Sequence, residues 1–171
     1  MAAGLTIVVT CTDRKSLPVA QRLSFRDVPS SSSSVRARDW RERLRLGEQP
    51  RPLASLYQGE QWLESLALAE VARDEGYEPR VLVASAGLGL LALESRAPAY
   101  SATFSLGKPD AVARTMEDAA TWWKELAYAP SALDLATLRG PVLLVLSRTY
   151  ALALARDLTE LGASGARAAL V

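Results

Sequence analysis

An α/β domain with a mainly parallel central sheet is the fold this chain predicts, on three observations. Two apolar runs, residues 6–10 and 81–85, are continuous rather than alternating, as in strands buried on both faces. A stretch of helical periodicity, residues 60–75, lies between them. A third buried run, residues 142–146, follows another helical stretch. The order strand, helix, strand implies a right-handed crossover and a parallel pair. At 171 residues, the chain suits one domain in three layers, spanning 1–171.

The elements follow in order. Residues 5–11 make the first strand, and 18–23 hold a short helix or turn. Five serines, Ser30 to Ser34, follow Pro29 and read as a flexible loop over about 29–35. Residues 35–46 carry Arg36, Arg38, Arg41, Arg43 and Arg45 against only Asp39 and Glu42, with Trp40 and Leu44 on one side. That stretch reads either as a solvated helix face or, with its aromatic residue, as a nucleic-acid backbone contact. Pro50 and Pro52 end it. Within 60–75, Trp62, Leu63, Leu66 and Ala69 recur at helical spacing, and Gly76 supplies the stop. Residues 77–80 read as the turn into the second strand. Pro109 and Asp110 open a helix running to about Tyr128, with Trp122 and Trp123 in its second half. Gly140 and Pro141 introduce the third strand. Residues 149–161 make a final helix closed by Gly162, and 166–171 a last strand.

Composition narrows the chemistry. A formal net charge of +1 means that any nucleic-acid contact needs a local basic patch. The absence of histidine excludes histidine-based triads and most zinc chemistry. No metal or cofactor is expected. The single cysteine cannot form an internal disulfide and fits a reducing cytoplasm. No basic leader region is evident. The longest apolar stretches are about ten residues, short of the roughly twenty that a membrane helix needs. The expectation is a cytoplasmic protein with no membrane contact.

Ligands of open α/β sheets bind outside the carboxyl ends of the strands, and two segments bring chemistry there. Cys11, Thr12, Asp13, Arg14 and Lys15 supply a thiol, a hydroxyl, a carboxylate and two cations. Cations on such a loop suit a phosphate or carboxylate, and a solvated loop with a structural cysteine is the alternative. Arg14 or Lys15 beside Cys11 would favour its thiolate as a nucleophile. After the second strand, Ser85 is followed by Gly87 and Gly89. A third glycine and a following helix are missing, so this is not a dinucleotide fingerprint; the glycines permit a tight turn and a close approach. Tyr100, Ser101 and Thr103 lie just beyond Pro98 and offer hydroxyls to the same edge, or pack on the core.

In combination these segments resemble a family of bacterial domains of unassigned function, related to the YaaA peroxide-stress proteins and to the cysteine-containing domain of archaeosine synthase. The shared pattern is Cys11 with Lys15, Leu56-Tyr57 before a helix, Ser85-Ala86 with Gly89-Leu90, and Pro98 with Tyr100 and Thr103. Residues 142–146 followed by Tyr150 complete it. The order and spacing agree over most of the chain. Thr10 stands where archaeosine synthase has proline, Ser16-Leu17 where it has Pro-Tyr, and Ser147-Arg148 replaces a turn glycine.

The resemblance implies a fold like that of uracil-DNA glycosylases and a role around nucleic acids: DNA binding under stress, modification of bases in DNA or RNA, or anti-phage defence. One reading is a nucleic-acid-associated protein holding a nucleotide, modified base or phosphate at Thr12, Arg14, Lys15, Ser85, Gly87, Gly89 and Thr103, with Tyr57 or Tyr100 stacking on a base. A second is a nucleobase- or nucleoside-modifying enzyme with Cys11 as nucleophile or Lys15 as activated amine. A third is an interaction subunit of a defence complex, meeting a protein partner through Trp122 and Trp123.

Overall fold

The structure, a computed structural model, describes residues 3–127 and 131–171. In chain order it holds β1 (Ala3–Thr10), α1 (Ser33–Arg45), β2 (Arg51–Pro52), α2 (Leu53–Leu56), α3 (Glu60–Asp74), β3 (Tyr77–Ser85), β4 (Gly89–Ala92), β5 (Arg96–Ala97), α4 (Met116–Leu126), β6 (Pro141–Val145), α5 (Arg148–Ala153), α6 (Ala155–Ala163) and β7 (Arg167–Leu170). The central sheet has five strands in the order β4-β3-β1-β6-β7, and β2 and β5 form a separate pair. Among the central strands only β4 is antiparallel to its neighbour. The expected α/β class and mainly parallel sheet are therefore present. No helix among the described residues is long and apolar enough to cross a membrane.

Burial explains why the strand runs are continuous. Ile7, Val8 and Val9 on β1 are all fully buried, as are Leu82, Val83 and Ala84 on β3. Successive side chains of a strand point to opposite faces, so both faces at the sheet's centre are covered. Register then aligns the strand ends: Thr10 pairs with Ala84, and Val9 with Val145.

Several boundaries differ from the sequence reading. β3 begins at Tyr77 rather than after a turn at 77–80, because its polar start pairs with residues 3–6 of β1. The serine run is not a loop to its end. Ser33 and Ser34 form the first turn of α1 with Ser32 at the N-cap, a position serine favours. No helix opens at Pro109. α4 starts at Met116 instead, where the Thr115 hydroxyl accepts from the Asp118 amide as a true N-cap; the expected end near Tyr128 lies outside the described residues. The last helix is two, because the backbone at Leu154 tightens to ψ 6° between α5 and α6. This lets Tyr150 and Leu154 on one side and Leu161 on the other all reach the core. Gly162 lies inside α6, and the chain turns at Gly165, with φ 79°.

The basic stretch on α1 is largely used internally. Arg43 pairs with Asp39 at 2.9 Å and Arg45 with Glu42 at 2.7 Å. Arg41 donates to the Glu125 carbonyl, and Arg36 lies over the Phe25 ring at 4.7 Å. Trp122 and Trp123 do not offer the exposed contact expected of them: both indoles are buried. Trp123 Nε1 donates to Asp157, and Trp122 Nε1 to the Ala86 carbonyl, at 2.7 Å each.

Asp110 holds the long connection before α4. Its buried carboxylate accepts from the Arg26 guanidinium and backbone amide and from Ser101 Oγ. The guanidinium bonds, with the amide and hydroxyl adding to them, lower its pKa from the ordinary 3.8 to about 2. Asp110→Asn should therefore cost roughly 1–2 kcal/mol at neutral pH, read from denaturant midpoints. The folded-state pKa lies below the unfolded one. The contribution is complete above 3.8 and disappears as pH falls through about 2, so wild type and variant should converge in acid.

Candidate functional site

The loop after β1 carries a thiol to the centre of the sheet's carboxyl edge. Cys11 is partly buried, and its amide continues the ladder by donating to the Ala84 carbonyl at 3.0 Å. β1 sits between β3 and β6, and the chain visits β3 before crossing β1 to reach β6. The gap between the ends of β1 and β6 is the topological switch point, where open α/β sheets form their ligand crevice. Cys11 comes from one side of that gap and Tyr150, on α5, from the other. Cys11 Sγ and Tyr150 Oη are 3.2 Å apart. The strand ends are further tied by Thr10 Oγ1, which accepts from the Ser147 amide at 3.1 Å.

Lys15 turns inward. Its residue bridges to Tyr57, and its ammonium donates to the carbonyls of Thr12 at 2.7 Å and Asp13 at 3.0 Å. The same ammonium lies 5.0 Å and 4.9 Å from the ring centroids of Tyr57 and Tyr100, within cation–π range. Burial pulls its pKa below the ordinary lysine range, against the opposing pull of negative charge at Cys11 and Asp13.

Three buried tyrosines surround this pair. Tyr100 Oη is 2.5 Å from both Tyr57 Oη and Ser85 Oγ. Tyr150 Oη accepts from the Ala86 amide at 3.0 Å. Burial above all pushes the three phenols well above the usual tyrosine range, and negative charge at Cys11 adds to it. All three are thus hydroxyl donors at any ordinary pH. Among the described residues no group of three His, Cys, Asp or Glu side chains converges as a metal site.

The structure brings together Cys11, Lys15, Tyr57, Ser85, Gly87 and Tyr100 from the sequence reading. The remaining residues are placed differently. Thr12 Oγ1 donates to the Gln58 carbonyl at 2.9 Å and clips two loops together. Arg14 is exposed and lines, with Tyr57, Gln58 and Trp62, a cavity of about 600 Å³. Thr103 bonds within its own loop, to the Ser105 amide. Gly89 opens β4 at φ 79°. Gly87 is needed by a neighbour rather than by a ligand, because a Cβ there would lie 2.7 Å from Tyr100 Cδ2. Tyr150, and the amides of Ala86 and Leu88, did not enter the sequence-derived site. Applying the strand-end rule to the third strand as well would have found Tyr150, five residues after β6 ends.

Comparison with protein-family models, with curated proteins and with solved structures found no match to this chain.

The two turn glycines should respond differently from a helical one. Gly87→Ala forces the Tyr100 ring to move and is expected to lose roughly 1–3 kcal/mol. Gly89→Ala puts a side chain at positive φ and should lose about 1–2 kcal/mol. Gly162→Ala, in α6 with open space around it, should gain up to about 1 kcal/mol. Urea titrations of the three variants give the order directly.

Proposed function

We propose that the protein is nucleic-acid-associated and takes a nucleotide or modified base into the crevice between the carboxyl ends of β1 and β6. In this reading Cys11 is the group that acts on the base. The observation that carries it is the meeting of Cys11 Sγ and Tyr150 Oη, 3.2 Å apart at the switch point. Arg14 lies on the loop after β1, and Arg148 opens α5 just past the end of β6. Both are exposed, and neither enters an ion pair among the described residues. They are the groups suited to a ligand's phosphate. Lys15 is less suited, since its ammonium is spent on the Thr12 and Asp13 carbonyls.

This arrangement favours base modification over passive holding. The Cys11 sulfur adds its electron pair to an electrophilic ring carbon. The displaced π pair moves to the adjacent ring nitrogen, and the thiol's proton passes to that nitrogen through the Tyr150 hydroxyl, which ends protonated as it began. The uracil-DNA-glycosylase-like architecture, the cytoplasmic location and a place in stress response or anti-phage defence belong to the same reading. The mainly parallel sheet and the single free thiol support the first two.

Fluorescence-polarisation titrations against single-stranded DNA, duplex DNA and tRNA across a salt series test the binding half. Affinity should fall with salt, and Arg14→Ala with Arg148→Ala should reduce the slope by about two phosphate contacts. Denaturing electrophoresis of the same mixtures tests the chemistry: a covalent band present in wild type and absent in Cys11→Ser is expected. Affinity for no nucleic acid would overturn the reading. Binding that is indifferent to both arginines, with no Cys11-dependent band, would do the same.

A further inference from the structure

A cavity of about 970 Å³ lies between α1, β4 and β5, and neither Cys11 nor Tyr150 lines it. Its size is within the range of sites that take a small organic molecule. Val35, Arg38, Glu42 and Arg45 recur at the three- and four-residue spacing that puts side chains on one helix face, and all four line the cavity. Leu88, Leu91, Ala97, Pro98 and Leu126 supply an apolar surface beside them. Of these, Leu91, Ala97 and Leu126 are buried in the core, so the cavity floor is fixed.

The charges of the lining do not balance. It holds Arg38, Arg41, Arg45 and Arg96 against Asp39 and Glu42. Both acids are already answered, Asp39 by Arg43 at 2.9 Å and Glu42 by Arg45 at 2.7 Å. Arg41 donates to the Glu125 carbonyl and Arg96 to the Pro50 carbonyl, neutral partners that leave the positive charge in place. Arg38 is exposed and makes no hydrogen bond or ion pair among the described residues. Arg38, Arg41 and Arg96 therefore border an apolar cavity whose own acids are spent.

We propose that this cavity binds an amphipathic organic anion, a carboxylate carried on a hydrocarbon chain. The chain lies along Leu88, Leu91 and Leu126, and Arg38 takes the carboxylate at the rim. A planar guanidinium matches the two oxygens of a carboxylate, and seating the chain removes apolar surface of ligand and protein together from water. A neutral hydrocarbon leaves the cations unanswered, and an inorganic anion leaves the apolar floor wet. Only a molecule with both parts satisfies the lining. The site goes beyond the nucleic-acid reading and shares none of the residues on which that reading rests.

Isothermal titration calorimetry of the whole chain with octanoate, decanoate and decanol, each in the monomeric range, tests the proposal. Decanoate should bind one-to-one. Octanoate, two buried methylenes shorter, should bind roughly tenfold more weakly. Decanol keeps the chain but lacks the charge, and should also bind about tenfold more weakly than decanoate. Arg38→Ala removes an exposed side chain without a partner, so the fold is retained. It should weaken decanoate about tenfold and leave decanol unchanged, whereas Leu88→Glu should weaken both. Absence of decanoate binding overturns the proposal. Equal affinity for decanoate and decanol, or decanoate affinity unchanged in Arg38→Ala, overturns it too. If Arg38→Ala instead weakens single-stranded DNA while decanoate does not bind, the stripe on α1 is a backbone contact and the cavity is not an anion site.

Discussion

A buried turn between two strands is the constraint around which the rest of this molecule is arranged. Residues 85–87 are closed off from solvent, yet a turn leaves its amides and carbonyls outside the sheet ladder. Each such group left unpaired in the interior would cost about 1–3 kcal/mol. Side chains from distant elements supply the partners. Trp40 on α1 donates to the Gly87 carbonyl at 2.8 Å, and Trp122 on α4 to the Ala86 carbonyl. Tyr150 on α5 and Ser85 itself take the amides. Satisfying the turn thus docks α1, α4 and α5 at one edge of the sheet. One of the hydroxyls that satisfy it, that of Tyr150, is also the one that meets Cys11.

Aromatic packing makes that docking rigid. Phe25 stands edge-on to both Trp40 and Trp122, at 5.3 Å and 4.9 Å between centroids. Trp40 in turn meets Tyr100, Tyr57 meets Trp62, and Phe104 meets Tyr150. Each site tyrosine therefore has its ring fixed from outside by a further aromatic residue. Edge-to-face contacts of this kind stabilise beyond the area they bury, and a ring so held keeps its hydroxyl at one place. The sheet provides the coarse positioning and the aromatic contacts the fine. Cys11 and Tyr150, 139 residues apart, meet because parallel pairing of β1 with β6 puts both their exits at the same edge.

What could be read from the sequence follows from how local each signal is. β1, the core of β3, β6 and α3 were legible, because continuous apolar runs and helical spacing are written within a few residues. The polar start of β3 was not, since Tyr77, Glu78 and Arg80 are strand only because β1 lies alongside. β4 was missed for a related reason: Gly89 reads as a turn, and the strand behind it is defined by pairing back onto β3. Pro109 and Asp110 have the composition of a helix start, but the Asp110 carboxylate is committed to Arg26, 84 residues away. The thiol and Ser85 of the site were visible because they sit directly at strand ends, and the lysine because it shares the loop after β1. The tyrosine arrangement was not, because Tyr57, Tyr100 and Tyr150 come from three unrelated loops and helix starts. Trp122 and Trp123 read as a possible partner contact for want of the same information, which is what their indole nitrogens face.

In this chain without histidine, burial acts in opposite directions on the other titratable groups of the site. Desolvation penalises charge, so it acts in opposite directions on phenols and amines. It holds Tyr57, Tyr100 and Tyr150 in their protonated form, able to donate hydrogen bonds. It pulls Lys15 the other way, below the ordinary lysine range, while the side chain still donates to the Thr12 and Asp13 carbonyls. Lys15 packs against the Tyr57 and Tyr100 rings, and Tyr150 stands edge-on to Phe104. Cys11 meets the Tyr150 hydroxyl, and the low local dielectric that keeps the phenols protonated also strengthens the hydrogen bonds they make.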